Sequence, residues 1–210
     1  SVRVGIVDTG SGRLGSGRFP LETKRIQSDP LFATQSHRNH VSALCQALRL
    51  AVEQADVAAH DIDVIAVATT GSTVVVVDAN MRPLDDYYLW CDHRAKSEAA
   101  EITRHASITG LEALRWCGGV YSHEWGWAKL LHWLRKNPDK VANFASAFEH
   151  CDYITAWMTG VRTPREARRS VCAMGHKWLW GQAWDGLPPA DFLAGVDPLF
   201  ENVRENPKYF

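Results

Sequence analysis

The first twenty residues alternate apolar positions with polar or glycine positions, and a period of two is typical of a β-strand. Residues 2–7 alternate around Arg3 and Gly5. Residues 8–12, with the sequence Asp-Thr-Gly-Ser-Gly, favour a turn, and residues 14–21 can return as a second strand. The pattern therefore predicts a β-hairpin at the start of the chain.

A helical period follows the hairpin. Ser36 is a suitable N-cap residue, and apolar side chains then recur three or four positions apart, as they do on one face of a helix. These side chains are Val41, Leu44, Cys45, Leu48 and Val52. The spacing predicts an amphipathic helix that packs through this face.

The most apolar part of the chain surrounds a short polar segment. Residues 62–68 form an apolar run of strand length, which is typical of a strand buried on both faces of a sheet. Residues 69–73, Thr-Thr-Gly-Ser-Thr, interrupt the run, and Val74–Val77 resumes it before a predicted turn at residues 78–80. A strand that breaks at small polar residues indicates a place where a sheet presents its backbone to a ligand.

Helices dominate the prediction for the rest of the chain. Asp92 is a suitable N-cap for one helix, Asn137-Pro138 ends a second, and a third, at residues 152–159, ends at Gly160. The apolar positions predicted to face inward on the first two are Ala95, Ala99, Ile102 and Ala106, then Trp127, Leu130, Leu131 and Leu134. Strands that alternate with helices favour an α/β fold.

Composition narrows the functional classes. The 210 residues are enough for one good-sized domain or two small lobes that share a core. A net charge of −1 gives no field to attract nucleic acid or an anionic membrane, and no apolar run is long enough to span a bilayer. The five cysteines include no C-x-x-C pair, so we interpret them as reduced thiols of a cytoplasmic protein. Nine tryptophans indicate a large core or a sugar-sized cleft.

Two polar clusters next to tryptophan could bind a polyhydroxy ligand. In the first, Asp92 and Arg94 follow Trp90, and the alternative is that Asp92 only caps a helix while Arg94 is solvated. In the second, Glu124 precedes Trp125, and the alternative is a glutamate that complements the dipole of the next helix. The residues alone do not decide between these interpretations.

A third candidate is Lys177, which lies between His176 and Trp178. Lysines beside aromatic residues usually lie on the surface with only their stems covered, but a lysine in a polar loop can also hold a hydroxyl or a phosphate. The chain has no G-x-G-x-x-G or P-loop motif, no H-E-x-x-H metal motif and no G-x-S-x-G nucleophile motif.

Several short motifs together resemble the FGGY carbohydrate kinases, and among them the L-ribulokinases most closely. The matching stretches are residues 68–73 (ATTGST), 76–79 (VVDA), 89–93 (LWCDH), 118–122 (GGVYS) with Glu124-Trp125, 151–153 (CDY) with Thr159-Gly160, 175–177 (GHK) with Leu179-Trp180, and 186–190 (GLPPA). Each motif alone is weak. They occur in family order over residues 2–200, and this order carries the resemblance.

The resemblance implies an RNase H-like, actin-like ATPase fold with a mixed sheet and flanking helices. Residues 1–210 would form a single N-terminal, sugar-binding domain, truncated at both ends and lacking the first strand and its phosphate loop. The sugar contacts implied are the Gly71 backbone and Lys177, with Asp92, Arg94, Glu124 and Trp125 as weaker candidates. ATP and Mg²⁺ would bind mostly to a second domain, and the catalytic base would lie beyond Phe210.

The implied activity is ATP-dependent phosphorylation of a pentulose, most closely ribulose, in arabinose breakdown in the cytoplasm. D-ribulose, xylulose and ribitol stay open as substrates, since residues 81–88 form a shorter loop than in typical L-ribulokinases and Ala68 stands where many relatives have Asp. A homodimer is also left open, and the fragment alone is expected to be inactive. The rival functions are a non-enzymatic actin-like module and a carbohydrate hydrolase that uses Asp92 and Glu124.

Overall fold

The computed structural model describes residues 1–201 and 203, which fold into two compact units. The smaller unit comprises Ser1–Lys24 and Gln35–Val67, and the larger comprises Arg25–Thr34 and the chain from Ala68 onward. The prediction of a single domain is not tested by this division and stays a prediction. No helix among the described residues combines the length and the apolarity needed to cross a bilayer.

The smaller unit begins with the predicted hairpin. Strands β1 (Val2–Asp8) and β2 (Gly12–Phe19) pair antiparallel. The Asp8 carboxylate accepts hydrogen bonds from the backbone N–H groups of Gly10 (3.0 Å) and Ser11 (2.7 Å). These bonds hold the turn, as expected for aspartate at this position of a tight turn.

Helix α1 (His37–Ala55) begins where the sequence predicts, because the Ser36 hydroxyl accepts a hydrogen bond from the backbone N–H of Asn39. The predicted packing face is only partly right, because Val41, Leu44 and Val52 are half-buried. The buried side chains are His40, Ala43, Ala47 and Ala51, whereas Cys45 and Leu48 are exposed.

Glycines in β2 explain why α1 packs through small side chains. A Cβ atom at Gly17 would lie only 1.9 Å from the Ala47 carbonyl oxygen, and one at Gly15 would lie 2.6 Å from the Ala51 carbonyl oxygen. Backbones that approach this closely leave room only for alanine between them. The larger residues that follow the helical period are therefore displaced from this face.

The predicted buried strand at residues 62–68 is also wrong. These residues form no strand, and the side chains of Val64 and Ile65 are 79% and 62% exposed. A strand needs a neighbour for its backbone hydrogen bonds, and no strand of the described chain pairs with this run.

Apart from the strand-end residues Lys24 and Gln35, a five-stranded sheet in the order β3-β4-β6-β5-β7 belongs to the larger unit. Its strands are β3 (Lys24–Ile26), β4 (Asp29–Gln35), β5 (Val74–Val77), β6 (Tyr87–Tyr88) and β7 (Ser146–Glu149). Strand β5 is antiparallel to both neighbours, with Val74 opposite Tyr88 on β6 and Glu149 on β7. All four residues of β5 are buried, as its apolar sequence predicts.

Helices cover the sheet of the larger unit. They are α2 (Lys96–Thr109), α3 (Glu112–Arg115), α4 (Gly126–Lys136), α5 (His150–Met158), α6 (Val171–Trp178) and α7 (Ala190–Val196). The four inward positions predicted around α2 are all buried. Helix α4 ends at Asn137 and α5 is followed by Gly160 with a positive φ of 74°, as predicted.

Helix α4 lies at the centre of the core, and every residue from Gly126 to Leu134 is buried. Trp127 packs edge to face against Trp178, with 5.2 Å between ring centroids. Each such ring removes roughly 150–250 Å² from water, which contributes about 4–6 kcal/mol before entropy is counted. Gly126 permits the contact, since a Cβ there would lie 2.1 Å from the Trp178 ring.

Candidate functional site

Two predicted site residues, Gly71 and Lys177, meet at the turn before β5. A Cβ atom at position 71 would lie 2.8 Å from the Lys177 Nζ. Glycine therefore leaves room for the ammonium group directly over the backbone. Gly71 is exposed, and Ser72 follows it with a left-handed φ of 63°. The turn thus presents main-chain groups and a cation on one surface.

The main chain around Lys177 is fixed by two aromatic side chains. Helix α6 is kinked at Gly175, after which the Tyr121 hydroxyl donates to the Lys177 carbonyl oxygen and the Trp127 indole N–H donates to the Trp178 carbonyl oxygen. The Lys177 side chain is only 15% exposed. The interpretation of Lys177 as a solvated surface lysine is therefore wrong.

Glu149, at the end of β7, forms the base of this surface and was not predicted from the sequence. Its carboxylate is 1% exposed, accepts from the Ser72 N–H (2.9 Å) and the Trp178 indole N–H (3.0 Å), and lies 3.6 Å from the Lys177 Nζ. Burial raises the pKa of Glu149 above its ordinary value, and the Lys177 ammonium and both hydrogen-bond donors oppose that rise.

A second lysine that the sequence analysis missed, Lys129, lies fully buried on α4. Its Nζ donates to the carbonyl oxygens of Ser72 (2.7 Å) and Leu89, so it joins the turn before β5 to the segment after β6. Burial lowers the pKa of Lys129 to about 8, and the carboxylates of Asp92, Glu149 and Glu124 oppose that fall in this order. Lys129 is therefore in electrostatic range of all three acidic groups.

Asp92 and Arg94 form a closed pair. The Arg94 guanidinium donates to both Asp92 carboxylate oxygens at 2.7–3.0 Å, and Asp92 also accepts from the Ala33 N–H at 2.9 Å. Asp92 is 1% exposed. The prediction that it caps a helix is wrong, because α2 begins at Lys96 with Ala95 as its N-cap. The predicted solvation of Arg94 is also wrong, since its side chain is 15% exposed.

Arg94 lies over two rings as well as beside Asp92. Its Cζ is 4.2 Å from the centroid of Phe32 and 4.4 Å from that of Tyr88. It also lines an open groove of about 560 Å³. Other charged or titratable residues that line the groove are Asp29, Asp85, Asp86, His132 and Lys136.

Glu124 and Trp125 lie in the loop before α4, so Glu124 is not in the first turn of that helix. The Glu124 carboxylate is 3.4 Å from the His93 Nε2. Trp125 packs edge to face against Tyr121 and His176, at centroid distances of 5.2 and 5.0 Å. Trp125 thus contacts the segment that carries Lys177.

The six predicted site residues all belong to the larger unit. The structure brings Gly71 to Lys177 and Asp92 to Arg94, and it links Trp125 to the Lys177 segment through His176. It adds Glu149 and Lys129 as buried charges. The local sequence held one weak signal for Lys129, a lysine inside the apolar helix that precedes Asn137-Pro138.

Known proteins resemble this chain closely enough to fix its family. The family model described as the N-terminal domain of the FGGY family of carbohydrate kinases matches residues 1–174. A ribulokinase from Vibrio parahaemolyticus is 31% identical over 224 residues, which cover 98% of this chain and 39% of the relative. A D-ribulokinase from Saccharomyces cerevisiae is 29% identical over 191 residues, 83% of this chain and 25% of that protein.

A solved structure shows the fold. The xylulose kinase from Bifidobacterium adolescentis superposes with a TM-score of 0.64 at 16% identity, over 97% of this chain and 42% of that protein. The predicted actin-like ATPase fold with strands and flanking helices is therefore confirmed. The chain spans about two fifths or less of the length of these relatives. With the family model matched over residues 1–174, the chain belongs to the FGGY family of carbohydrate kinases.

Proposed function

We propose that this chain is the sugar-binding part of an ATP-dependent kinase that phosphorylates a pentulose, with ribulose as the first candidate. The observation that carries the proposal is the Lys177 ammonium over the exposed Gly71 backbone, with the buried Glu149 carboxylate 3.6 Å away. A cation beside an exposed backbone suits the carbonyl and hydroxyls of an open-chain sugar. Similarity to a ribulokinase and a D-ribulokinase supports a pentulose.

The residues of this chain would act by positioning, since phosphoryl transfer depends on orientation and charge stabilisation more than on covalent protein chemistry. Lys177 would donate to a sugar hydroxyl or carbonyl oxygen, and Gly71 would let the sugar approach the main chain. Glu124 would accept from a hydroxyl, and Trp125 would offer a flat apolar face. Asp92 and Arg94 would support the fold beside the site, because they satisfy one another.

The proposal includes ATP as the phosphoryl donor and Mg²⁺ as the ion bound with ATP. Mg²⁺ prefers oxygen ligands and keeps several waters, whereas the triad of His93, His123 and Glu124 offers two nitrogens and one carboxylate. We therefore assign no Mg²⁺ site to that triad. A cytoplasmic location, a role in arabinose breakdown and a homodimer are further parts of the proposal.

A substrate panel with the full-length protein tests the proposed activity. ADP release is measured with L-ribulose, D-ribulose, xylulose, ribitol and glycerol, each with MgATP. We expect the highest kcat/KM with a ribulose, and comparison of its two enantiomers identifies the natural substrate. Absence of ADP release with every pentulose and polyol, from folded protein, would contradict the proposal.

The two rival functions, a carbohydrate hydrolase and a non-enzymatic actin-like module, agree less well with the structure. A hydrolase needs Asp92 as an acid or base, but both carboxylate oxygens of Asp92 are occupied by Arg94 and the Ala33 N–H. A purely structural actin-like module gives no reason for a cation held over an exposed glycine backbone.

A further inference from the structure

Three metal-ligating side chains converge near the start of α4. His93, His123 and Glu124 each offer one ligand atom, and no two of these atoms are more than 4.8 Å apart. Within the part of the chain that the structure describes, no other group of three or more such residues meets this criterion. We infer that the triad of His93, His123 and Glu124 binds a divalent transition-metal ion of the zinc type.

The two imidazoles present nitrogens that the surrounding protein leaves unsatisfied. The Nε2 atoms of His93 and His123 are both buried and make no hydrogen bond, although the His93 Nε2 lies 3.4 Å from a Glu124 carboxylate oxygen. The rings meet edge to face, with centroids 4.7 Å apart and an interplanar angle of 82°. A buried polar atom without a partner is rare and costs free energy. A cation that both nitrogens coordinate would remove this cost.

The separation of the ligand atoms suits a small ion. Ligands about 2.0–2.2 Å from a tetrahedral zinc lie roughly 3.3–3.6 Å from one another. The His93 Nε2 and the Glu124 Oε1 are 3.4 Å apart already. Even a pair at the 4.8 Å limit would need to close by only about 1.4 Å. Rotation of a partly exposed side chain supplies such a shift without movement of the backbone.

The ligand types define the class of ion. Two imidazoles with one carboxylate are the ligands of open zinc sites and of other divalent transition metals, whereas Mg²⁺ and Ca²⁺ take mainly oxygen ligands. The side chains of His93 and Glu124 are each 35% exposed. A fourth coordination position therefore faces solvent, where a water molecule or a ligand hydroxyl would bind.

The surrounding charges allow metal binding and limit its strength. Burial lowers the pKa of His123, and the neighbouring His93 lowers it further, while Glu124 opposes this effect. Lys96 and Lys129 also lie in electrostatic range of His123. Their positive charges compete with a cation, and the carboxylate of Glu124 offsets part of that repulsion.

The backbones that carry the ligands are held in place independently of a metal. The His93 N–H donates to the Leu31 carbonyl oxygen at 2.9 Å, and the Glu124 N–H donates to the Ser122 hydroxyl at 3.2 Å. A bound ion would therefore join two fixed segments, one after β6 and one before α4. It would stabilise the folded chain by an amount that rises with the concentration of free metal.

Metal titration of the full chain tests this inference. After treatment with EDTA and desalting, the protein is titrated with Zn²⁺ by calorimetry and with Co²⁺ by visible absorption, which reports on coordination geometry. We expect one equivalent of each ion to bind and Zn²⁺ to raise the Tm. His93→Gln and His123→Gln should each abolish this site, and Glu124→Gln should weaken it at least about tenfold.

His60 provides the matched control. It is an exposed histidine whose Nε2 lies 3.6 Å from an Asp61 carboxylate oxygen, but no third ligand completes the pair. His60→Gln should leave Zn²⁺ binding unchanged. Circular dichroism establishes that each variant is folded. Stoichiometric binding that survives in both folded His93 and His123 variants would overturn the inference, and so would the absence of Zn²⁺ and Co²⁺ binding to the unmodified chain.

Discussion

Two carboxylate–cation pairs in the larger unit differ in how completely their charges are satisfied. Asp92 accepts hydrogen bonds from the Nε and Nη2 of Arg94 and from the backbone N–H groups of Ala33 and Arg94. The Arg94 guanidinium is further covered by two aromatic rings. Glu149 is equally buried, yet its cation Lys177 lies 3.6 Å away, beyond an ordinary hydrogen bond. We call the hydrogen-bonded pair of Asp92 and Arg94 closed, and the more widely separated pair of Glu149 and Lys177 open.

The difference indicates which pair can bind a ligand. A guanidinium that is already bidentate and stacked has little capacity left for a new partner. A lysine ammonium has three donors, and Lys177 directs it over an exposed glycine backbone. Binding at Arg94 would have to break a satisfied pair, whereas binding at Lys177 would add contacts. We therefore expect Asp92 to matter mainly for stability and Lys177 mainly for substrate binding.

The largest expected effect is on the closed pair. Asp92→Ala should lower the free energy of unfolding by about 3–5 kcal/mol, because it leaves the largely buried Arg94 without its counter-charge. Urea unfolding of the full chain measures this loss. The exposed pair of His60 and Asp61 is the control, and His60→Ala should cause little change, as is usual for surface ion pairs. A loss below 1 kcal/mol for Asp92→Ala would mean that the pair is not closed.

In the open pair, loss of the cation should affect substrate binding more than stability. Lys177→Met should reduce kcat/KM for the pentulose on the order of 10- to 100-fold, since a hydrogen bond from a charged group contributes about 1.5–3 kcal/mol. The KM for ATP should change little. The free energy of unfolding should fall by less than for Asp92→Ala, because Glu149 keeps the Ser72 N–H and the Trp178 indole N–H as hydrogen-bond donors. Steady-state kinetics with the best substrate of the panel measures these values.

Lys140 is a suitable control for Lys177. It is a lysine whose Nζ lies 3.2 Å from an Asp85 carboxylate oxygen, with a side chain 36% exposed. Lys140→Met should leave the KM for the pentulose unchanged. If Lys177→Met instead raised the KM values of ATP and the pentulose equally, or only destabilised the fold, Lys177 would be structural and the comparison of the two pairs would fail.

Local patterns in the sequence predict several of the helices and strands. The hairpin, the start of α1 at Ser36, the buried strand β5 and the end of α4 at Asn137 are each specified by a few adjacent residues. The packing face of α1 is not, because it depends on the glycines of β2, which lie more than twenty residues earlier in the chain. Apolarity at residues 62–68 likewise predicts burial only when a partner strand is present.

The candidate site could also be predicted only in part, because several of its contacts join residues that are far apart in the sequence. The order of the family motifs selected Gly71 and Lys177, and the structure brings them together. Nothing local distinguishes Glu149 from an ordinary helix-flanking acid, since its partners lie 29 and 77 residues away in sequence. Two histidines thirty positions apart likewise resemble no metal motif until the fold brings His93 and His123 into contact.

The smallest expected effect comes from the glycine under the open pair. Gly71→Ala would place a Cβ 2.8 Å from the Lys177 Nζ, and the flexible lysine must move to accommodate it. We expect a threefold to tenfold rise in the KM for the pentulose, equivalent to about 1 kcal/mol, with unchanged stability. Gly5→Ala, where nothing lies within 4 Å of the new Cβ, is the control. If the two alanine variants bind the pentulose equally well, the sugar does not contact the Lys177 ammonium beside the Gly71 backbone. The open pair must then bind its ligand from another side.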